Sequence, residues 1–248
     1  DLCEIKKREI YSEKFDNKRI LKFEEKKKNL FFLLKNEKLY KKLINQLSKN
    51  KFIKKKIIRN DNFFKKLLKE NKYDLIINCE SNNFIMKKYF SKKIDKIYNN
   101  FAYTTILHHK PLENKTAIQI FTKHGPIAFL PLSNKETSVV YSLDFNKKNY
   151  DEAIILNLIK QYNPKFKIIK INKLDKFELR SSNLRTYYYK NIVAFGDCLH
   201  KVHPLAGQGF NMTIRDIKVI SKIIQNKLDL GLQLDSLVFK EFEMKTKY

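Results

Sequence analysis

Apolar positions along this chain recur with two different periods, and the change from one to the other marks its elements. In EKLYKKLINQLSKN (37–50), Leu39, Leu43 and Leu47 stand four apart, which predicts an amphipathic helix. DNFFKKLLKEN (61–71) predicts a shorter helix with Asp61 or Asn62 as its cap. Residues 1–27 alternate weakly and predict two short strands, and KFIKKKII (51–58) predicts another. YDLIINCE (73–80) has the continuous apolar character of a buried, parallel strand. Strand, helix and strand in this rhythm argue for an α/β layer.

From about 94 to 190 the period shortens. NNFAYTTILHH, KTAIQIFTK, GPIAFLPL and ETSVVYSL are β-rich runs separated by turn residues, as in an antiparallel sheet. YDEAIILNLIKQYN (150–163) interrupts them with one helix, and FKIIKI and LRTYYY predict further strands. NIVAF then returns to the buried-strand texture. NMTIRDIKVISKIIQNKL (211–228) predicts a long helix whose stripe is Ile214, Ile217, Ile220 and Ile224. The pattern is that of an α/β domain interrupted by an all-β insertion, α+β in total content.

Composition changes this picture little. At 43% hydrophobic and 13% aromatic the chain is globular rather than disordered. Its formal charge of +26 would suit a nucleic-acid binder, yet only six of the 52 basic residues are arginine, the better reader of phosphates and base edges. The lysines are spread over every segment, so the charge reads as compositional and nucleic acid is not an expected partner. Cys3, Cys79 and Cys198 form no CxxC pair and no ligand spacing with histidine, which predicts a reduced compartment and no metal. No apolar run approaches the roughly 18 residues of a membrane helix, and no signal peptide is visible, so a cytoplasmic location is expected.

The chemistry concentrates in NIVAFGDCLHKVHPLAGQGFNM (191–212). Of five glycines in the chain, Gly196, Gly207 and Gly209 fall here. Ligands of open α/β sheets bind beyond the carboxyl ends of the strands, where Asp197 is suited to ribose or polyol hydroxyls. Gly207 and Gly209 remove Cβ atoms where a flat ligand could meet backbone, and the following helix start offers free N–H groups to electron-rich or anionic atoms. An isolated GD or GxG would be an ordinary strand–loop–helix connection with Asp197 as a cap. Here Gly196, Asp197, His203, Pro204, Gly207, Gly209 and Asn211 occur together. His200 and His203 lack a third ligand at metal spacing and a nucleophile to activate, so they are read as packing and loop-fixing residues.

GDCLHKVHPLAGQGFN resembles the second FAD-binding motif of the class A flavoprotein monooxygenases. It is most similar to that of the ubiquinone-biosynthesis hydroxylases, G-D-A-A-H-x-x-H-P-x-A-G-Q-G-x-N, and departs from it only at Cys198 and Leu199. GPIAFLPLSNKETSVVYSL (125–143) resembles the family's G-P-x-A-x-L-P-L strand pair, and YDLIINCESNNFIMKK its D-L-V-I-G-A-D-G-x-x-S-x-V-R. The resemblance implies an incomplete FAD/NAD(P)-binding, Rossmann-like domain of the glutathione-reductase type with an inserted, mainly antiparallel β substrate domain. Residues 1–27 would be strands of the substrate domain, 28–90 and 191–248 parts of the FAD-binding domain, and 91–190 the β-rich substrate-binding domain.

The resemblance also implies a site. Gly196 and Asp197 would hold the ribityl chain, and Pro204, Ala206, Gly207, Gln208, Gly209, Phe210 and Asn211 the isoalloxazine ring, with Asn36 and Glu80 as further FAD contacts. Tyr103, Phe121 and Phe129 are candidates to line the substrate ring, though each also suits plain core. No side chain is expected to act as catalytic acid, base or nucleophile. FAD would be reduced by NADH or NADPH and use O2 to hydroxylate a polyprenylated phenol in ubiquinone biosynthesis. Peripheral association with the inner face of a membrane or with a ubiquinone-synthesis complex goes with such a substrate. Two features depart from the family: its Asp-Gly falls on Glu80 and Ser81, and its N-terminal G-x-G-x-x-G has no counterpart in these residues. The chain, which opens on aspartate, is therefore expected to be a fragment. The alternatives are an eroded, flavin-free remnant, and a basic nucleic-acid- or membrane-surface-binding module without redox activity.

Overall fold

The computed structural model describes residues 2–15, 18–25, 28–58, 60–70, 72–144, 150–202 and 207–247. In chain order, the first segment gives β1 (Cys3–Ile5), β2 (Lys7–Ser12), β3 (Lys18–Glu24), β4 (Phe31–Leu33) and α1 (Asn36–Ser48). There follow α2 (Asp61–Glu70), β5 (Ile76–Asn78), α3 (Phe84–Tyr89) and the long strand β6 (Lys93–His109). The β-rich stretch holds β7 (Thr116–Thr122), β8 (Gly125–Ser133), β9 (Glu136–Asp144), α4 (Glu152–Gln161), β10 (Ile168–Ile171) and β11 (Asp175–Leu184). Last come β12 (Tyr188–Tyr189), β13 (Ile192–Ala194), β14 (His200–Lys201), α5 (Gln208–Asp229) and α6 (Ser236–Thr246).

The chain divides into two compact units, residues 1–55 with 99–178, and 56–98 with 179–248. Residues 28–55 thus group with the β-rich unit rather than with the glycine motif. The large sheet runs β14-β11-β6-β9-β8-β7-β2-β3, with β10 pairing β6. The ladders β2–β3, β7–β8, β8–β9, β6–β9, β6–β10 and β11–β14 are antiparallel, and β2 lies parallel to β7 from Lys7↔Thr116 to Ser12↔Phe121.

In the first unit, strand period explains the core. Along β9 every second residue, Thr137, Val139, Tyr141 and Leu143, is buried, and the register sets Tyr103 and Ile127 opposite Tyr141 and Phe129 opposite Val139. These side chains pack with Ile155 and Ile159 of α4 and with Tyr150, Tyr162 and Phe166. Asp151 caps α4 by accepting the Ile154 N–H at 2.7 Å. Full burial of a residue such as Phe129 contributes about 1.5–3 kcal/mol.

The second unit is smaller-grained. β13 lies between β12, antiparallel, and β5, parallel, with Val193 opposite Ile77. All three β13 residues are buried, and the core around them takes Ile85 and Met86 of α3, Ile220 and Ile223 of α5, and Val238, Phe239 and Phe242 of α6.

Several expectations are corrected. Residues 51–58 are a turn and then irregular chain, not a strand: Lys54–Lys56 would charge both faces of a strand, and Phe52 is 84% exposed. Residues 1–27 hold three strands rather than two, and 184–189 is the end of β11 plus the separate β12, not one strand. Asp61 begins α2 as a helical residue and does not cap it from outside. β5 is parallel as expected but only partly buried, with Ile77 48% exposed. α5 starts at Gln208, and Ile214 and Ile217 point outward while Asp216, Ile220 and Ile223 are buried.

Candidate functional site

The site begins where β13 ends. The Phe195 N–H donates to the Asn78 carbonyl at 2.9 Å, which extends the parallel ladder one step beyond Ala194↔Asn78. The chain then turns sharply at Gly196, whose φ of +64° lies in the left-handed region, into a single 3-10 turn closed by the Leu199 N–H on the Gly196 carbonyl. A Cβ at Gly196 would still have room, its nearest neighbour being Thr213 Cγ2 at 3.9 Å, so backbone conformation and not space favours glycine. Asp197 is left exposed at the carboxyl end of β13.

The neighbouring strand ends alike. Asn78, the last residue of β5, is buried; its amide donates to the Glu80 carbonyl at 3.1 Å and its Oδ1 accepts from Asn83, which caps α3. Glu80 and Ser81 are exposed. Lys190 is the one non-glycine residue with positive φ among the described residues, so the backbone at Ser81 does not need glycine. Cys198 ends the turn after β13 and is buried. Burial pushes its thiol up to about 11, and Cys79, Asp197 and Glu80 add to the effect. That thiol stays protonated at neutral pH and is no nucleophile.

α5 closes the site. Gly207 caps it at φ +68° without a side-chain acceptor, and among the described residues no heavy atom lies within 4 Å of where a Cβ would stand. The first turn carries no acidic residue; Gln208, Phe210 and Asn211 are exposed, and Gly209 is half-buried with Val202 Cγ2 at 3.5 Å from its ideal Cβ. This is a helix N-terminus without a side-chain cap, whose first N–H groups favour an anionic or electron-rich group. Pro204 and Ala206, and His203 between the two ends, lie outside the described residues.

Gly196, Asp197, Glu80 and Gly207–Asn211 therefore all belong to the second unit, at strand ends and a helix start. Asn36, Tyr103, Phe121 and Phe129 belong to the first. Asn36 opens α1 and is exposed. Phe129 has no exposed surface and Tyr103 only 7%; both sit in the packed core, so neither presents a ring to an open face. Phe121, 44% exposed, does. A cleft of about 600 Å³ in the same unit, between α4 and β10, is lined by residues such as Glu152, Leu156 and Lys160 and includes no residue expected to bind ligand.

One feature was not anticipated. His200 Nε2 lies 2.7 Å from Asp216 Oδ2, and the Arg215 Nε and Nη2 donate to Asp216 Oδ1 at 3.0 and 2.8 Å. Both His200 and Asp216 are buried. Asp216 is in phase with Ile220 and Ile223, four and seven residues on, but the isoleucines of this helix cover more than one side, so only packing shows that a carboxylate stands on the buried face and must have partners there.

Residues 97–229, more than half of the chain, match the family described as the FAD binding domain, and the chain belongs to that family. Among curated proteins it is similar to the mitochondrial ubiquinone biosynthesis monooxygenase COQ6 of Dictyostelium discoideum, 26% identical over 221 residues, covering 68% of this chain and 44% of the relative. It is also 28% identical over 133 residues to the 3-demethoxyubiquinol 3-hydroxylase of Escherichia coli, covering 51% of this chain and 34% of that protein. The chain spans less than half the length of these relatives. The fold is that of PqsL, a probable FAD-dependent monooxygenase from Pseudomonas aeruginosa, with a TM-score of 0.66 at 14% identity over 99% of this chain and 74% of the other. 2-Methyl-3-hydroxypyridine-5-carboxylic acid oxygenase shares it too, with a TM-score of 0.68 at 12% identity over 98% and 69% of the two chains.

Proposed function

We propose that this chain is part of an FAD-dependent monooxygenase that hydroxylates a polyprenylated phenol in ubiquinone biosynthesis, its G-x-G-x-x-G segment lying outside these residues. The observation that carries the reading is the meeting, in a member of the FAD binding domain family, of a strand-end aspartate with an uncapped helix start behind an open glycine. Residues 28–90 and 191–248 would serve FAD, and 1–27 and 91–190 the substrate. The ubiquinone-pathway relatives support the phenol. Among the described residues no helix is long and apolar enough to cross a membrane, and a lipid-tailed substrate would be met by peripheral association with a membrane or a biosynthetic complex.

The residues present fit the flavin end of FAD. Gly207 leaves the space a flat ring needs, where any Cβ would intrude. The N–H groups at the start of α5 would stabilise negative charge on the ring, and Asp197, with Glu80 beside it, would accept hydrogen bonds from ribityl hydroxyls. Bound FAD would supply the redox chemistry, taking electrons from NADH or NADPH and activating O2 for transfer of one oxygen atom to an electron-rich ring. The protein's part is to bind, orient and exclude water, and no side chain need be a nucleophile.

The test is flavin content. The full-length gene product should purify yellow and keep FAD through gel filtration, and Asp197→Ala should weaken FAD binding about tenfold or more, from the loss of a charged acceptor. Unchanged flavin content in Asp197→Ala would sink the site assignment. A colourless wild-type protein that takes up no FAD would sink the function.

A further inference from the structure

We infer that His200 and Asp216 are positioning residues whose hydrogen bond clamps the glycine segment, and with it the flavin-facing start of α5, in binding geometry. The inference rests on the flavin reading of that segment. The bond spans 16 residues, from just after the Gly196 turn to the third turn of α5, and so closes the stretch that carries Gly207. That stretch needs external holding. A glycine loses the most backbone freedom on ordering, and among the described residues nothing lies within 4 Å of a Cβ position at Gly207 to hold it in return.

Both ends of the clamp are themselves fixed. His200 is held by the pairing of β14 with β11, Asn183 opposite His200, and its ring meets the Tyr187 ring edge-on at 5.8 Å. Asp216 sits in the helix with both carboxylate oxygens engaged, one by His200 and the other by the Arg215 guanidinium. With the carboxylate ionised, the imidazole must carry its proton on Nε2 and donate it. A charge-assisted bond with no solvent to compete is the strongest tether available between strand arm and helix. Neither side chain is placed to touch FAD: they act through the backbone of the loop they close.

The discriminating variants are His200→Ala, which removes the donor, and His200→Gln, whose amide can reach the same carboxylate. Two readouts are taken, amide exchange over residues 207–211 in the flavin-free chain and FAD affinity by fluorescence titration. His200→Ala should speed exchange at 207–211 about tenfold or more and weaken FAD about tenfold to a hundredfold, while amides of β8 keep their protection. His200→Gln should regain most of both. Should His200→Ala not fold, His200→Asn, too short to reach Asp216, replaces it. Unchanged exchange at 207–211, or a Gln variant no better than Ala, would overturn the clamp. If the wild-type full-length gene product binds no FAD, the flavin reading fails while the exchange comparison still decides the clamp.

Discussion

The two compact units hold themselves together differently, and the glycines show how. In the first unit Gly125 has φ +133°, and a Cβ there would stand 2.1 Å from the Ser142 carbonyl oxygen, inside the β8–β9 pair. In the second unit Gly207 has a similar need for positive φ but faces open space. One glycine is demanded by neighbouring backbone; the other, among the described residues, meets no neighbour at all. The first unit is a continuous apolar core laid down by strand alternation. The second has a three-stranded sheet, a buried histidine–carboxylate hydrogen bond and exposed strand ends, so its polar groups are arranged rather than merely tolerated. A packed strand pair and an open helix start make opposite demands on the same residue type.

The largest expected effect breaks this contrast if it fails. Gly125→Ala should destabilise the protein by about 3 kcal/mol or more, from a backbone clash added to left-handed strain, read as a lower denaturant midpoint. A loss under about 1 kcal/mol would mean that β8 and β9 part easily and that Gly125 is no more constrained than Gly207. Next, Gly207→Ala should lower stability by only the left-handed penalty, about 1–2 kcal/mol, yet impair FAD retention out of proportion to it. Equal retention by the variant would return Gly207 to the status of a plain helix cap.

The smallest effect concerns charge in the first unit. The Lys35 ammonium, 2.7 Å from Glu136, holds that carboxyl below its ordinary 4.5, against the opposing effect of burial. A depressed carboxyl stabilises the fold fully above 4.5, and the contribution is lost as pH falls through the lower folded value. Glu136→Gln should therefore cost less than about 1 kcal/mol at neutral pH, and the gap to wild type should close in acid. A gap that persisted well below pH 4.5 would assign Glu136 a role other than this ion pair.

Much of this was legible beforehand. α1, α2, α4 and α5 follow from apolar spacing, and β7, β8 and β9 from alternation between turn residues, because each signal is local. The glycine motif was legible for the same reason: Gly196, Asp197, Gly207 and Gly209 lie close together, and the fold had little freedom to separate them. The buried face of α5 was not legible. Ile214, Ile217, Ile220, Ile223 and Ile224 cover more than one side, and only packing against α6 and β13 chose Ile220 and Ile223. Residues 51–58 looked like a strand because β propensity describes a half-buried surface, and here no neighbouring strand provides one. Phe129 and Phe121 were equivalent as aromatic residues of adjacent strands; the side each takes in the sheet made one core and the other exposed.

By itself the sequence determined what depends on near neighbours: where helices and strands form, the turn chemistry of residues 196–211 and the family that chemistry belongs to. Tertiary structure alone decided what depends on partners far apart in the chain. It set β2 parallel to β7, paired the strand before Asp197 with the strand before Glu80, and buried Asp216 against His200. Backbone preferences and periodicity act over one or two turns. The burial of a charge, or the face a side chain takes, is settled by whichever distant surface removes it from water.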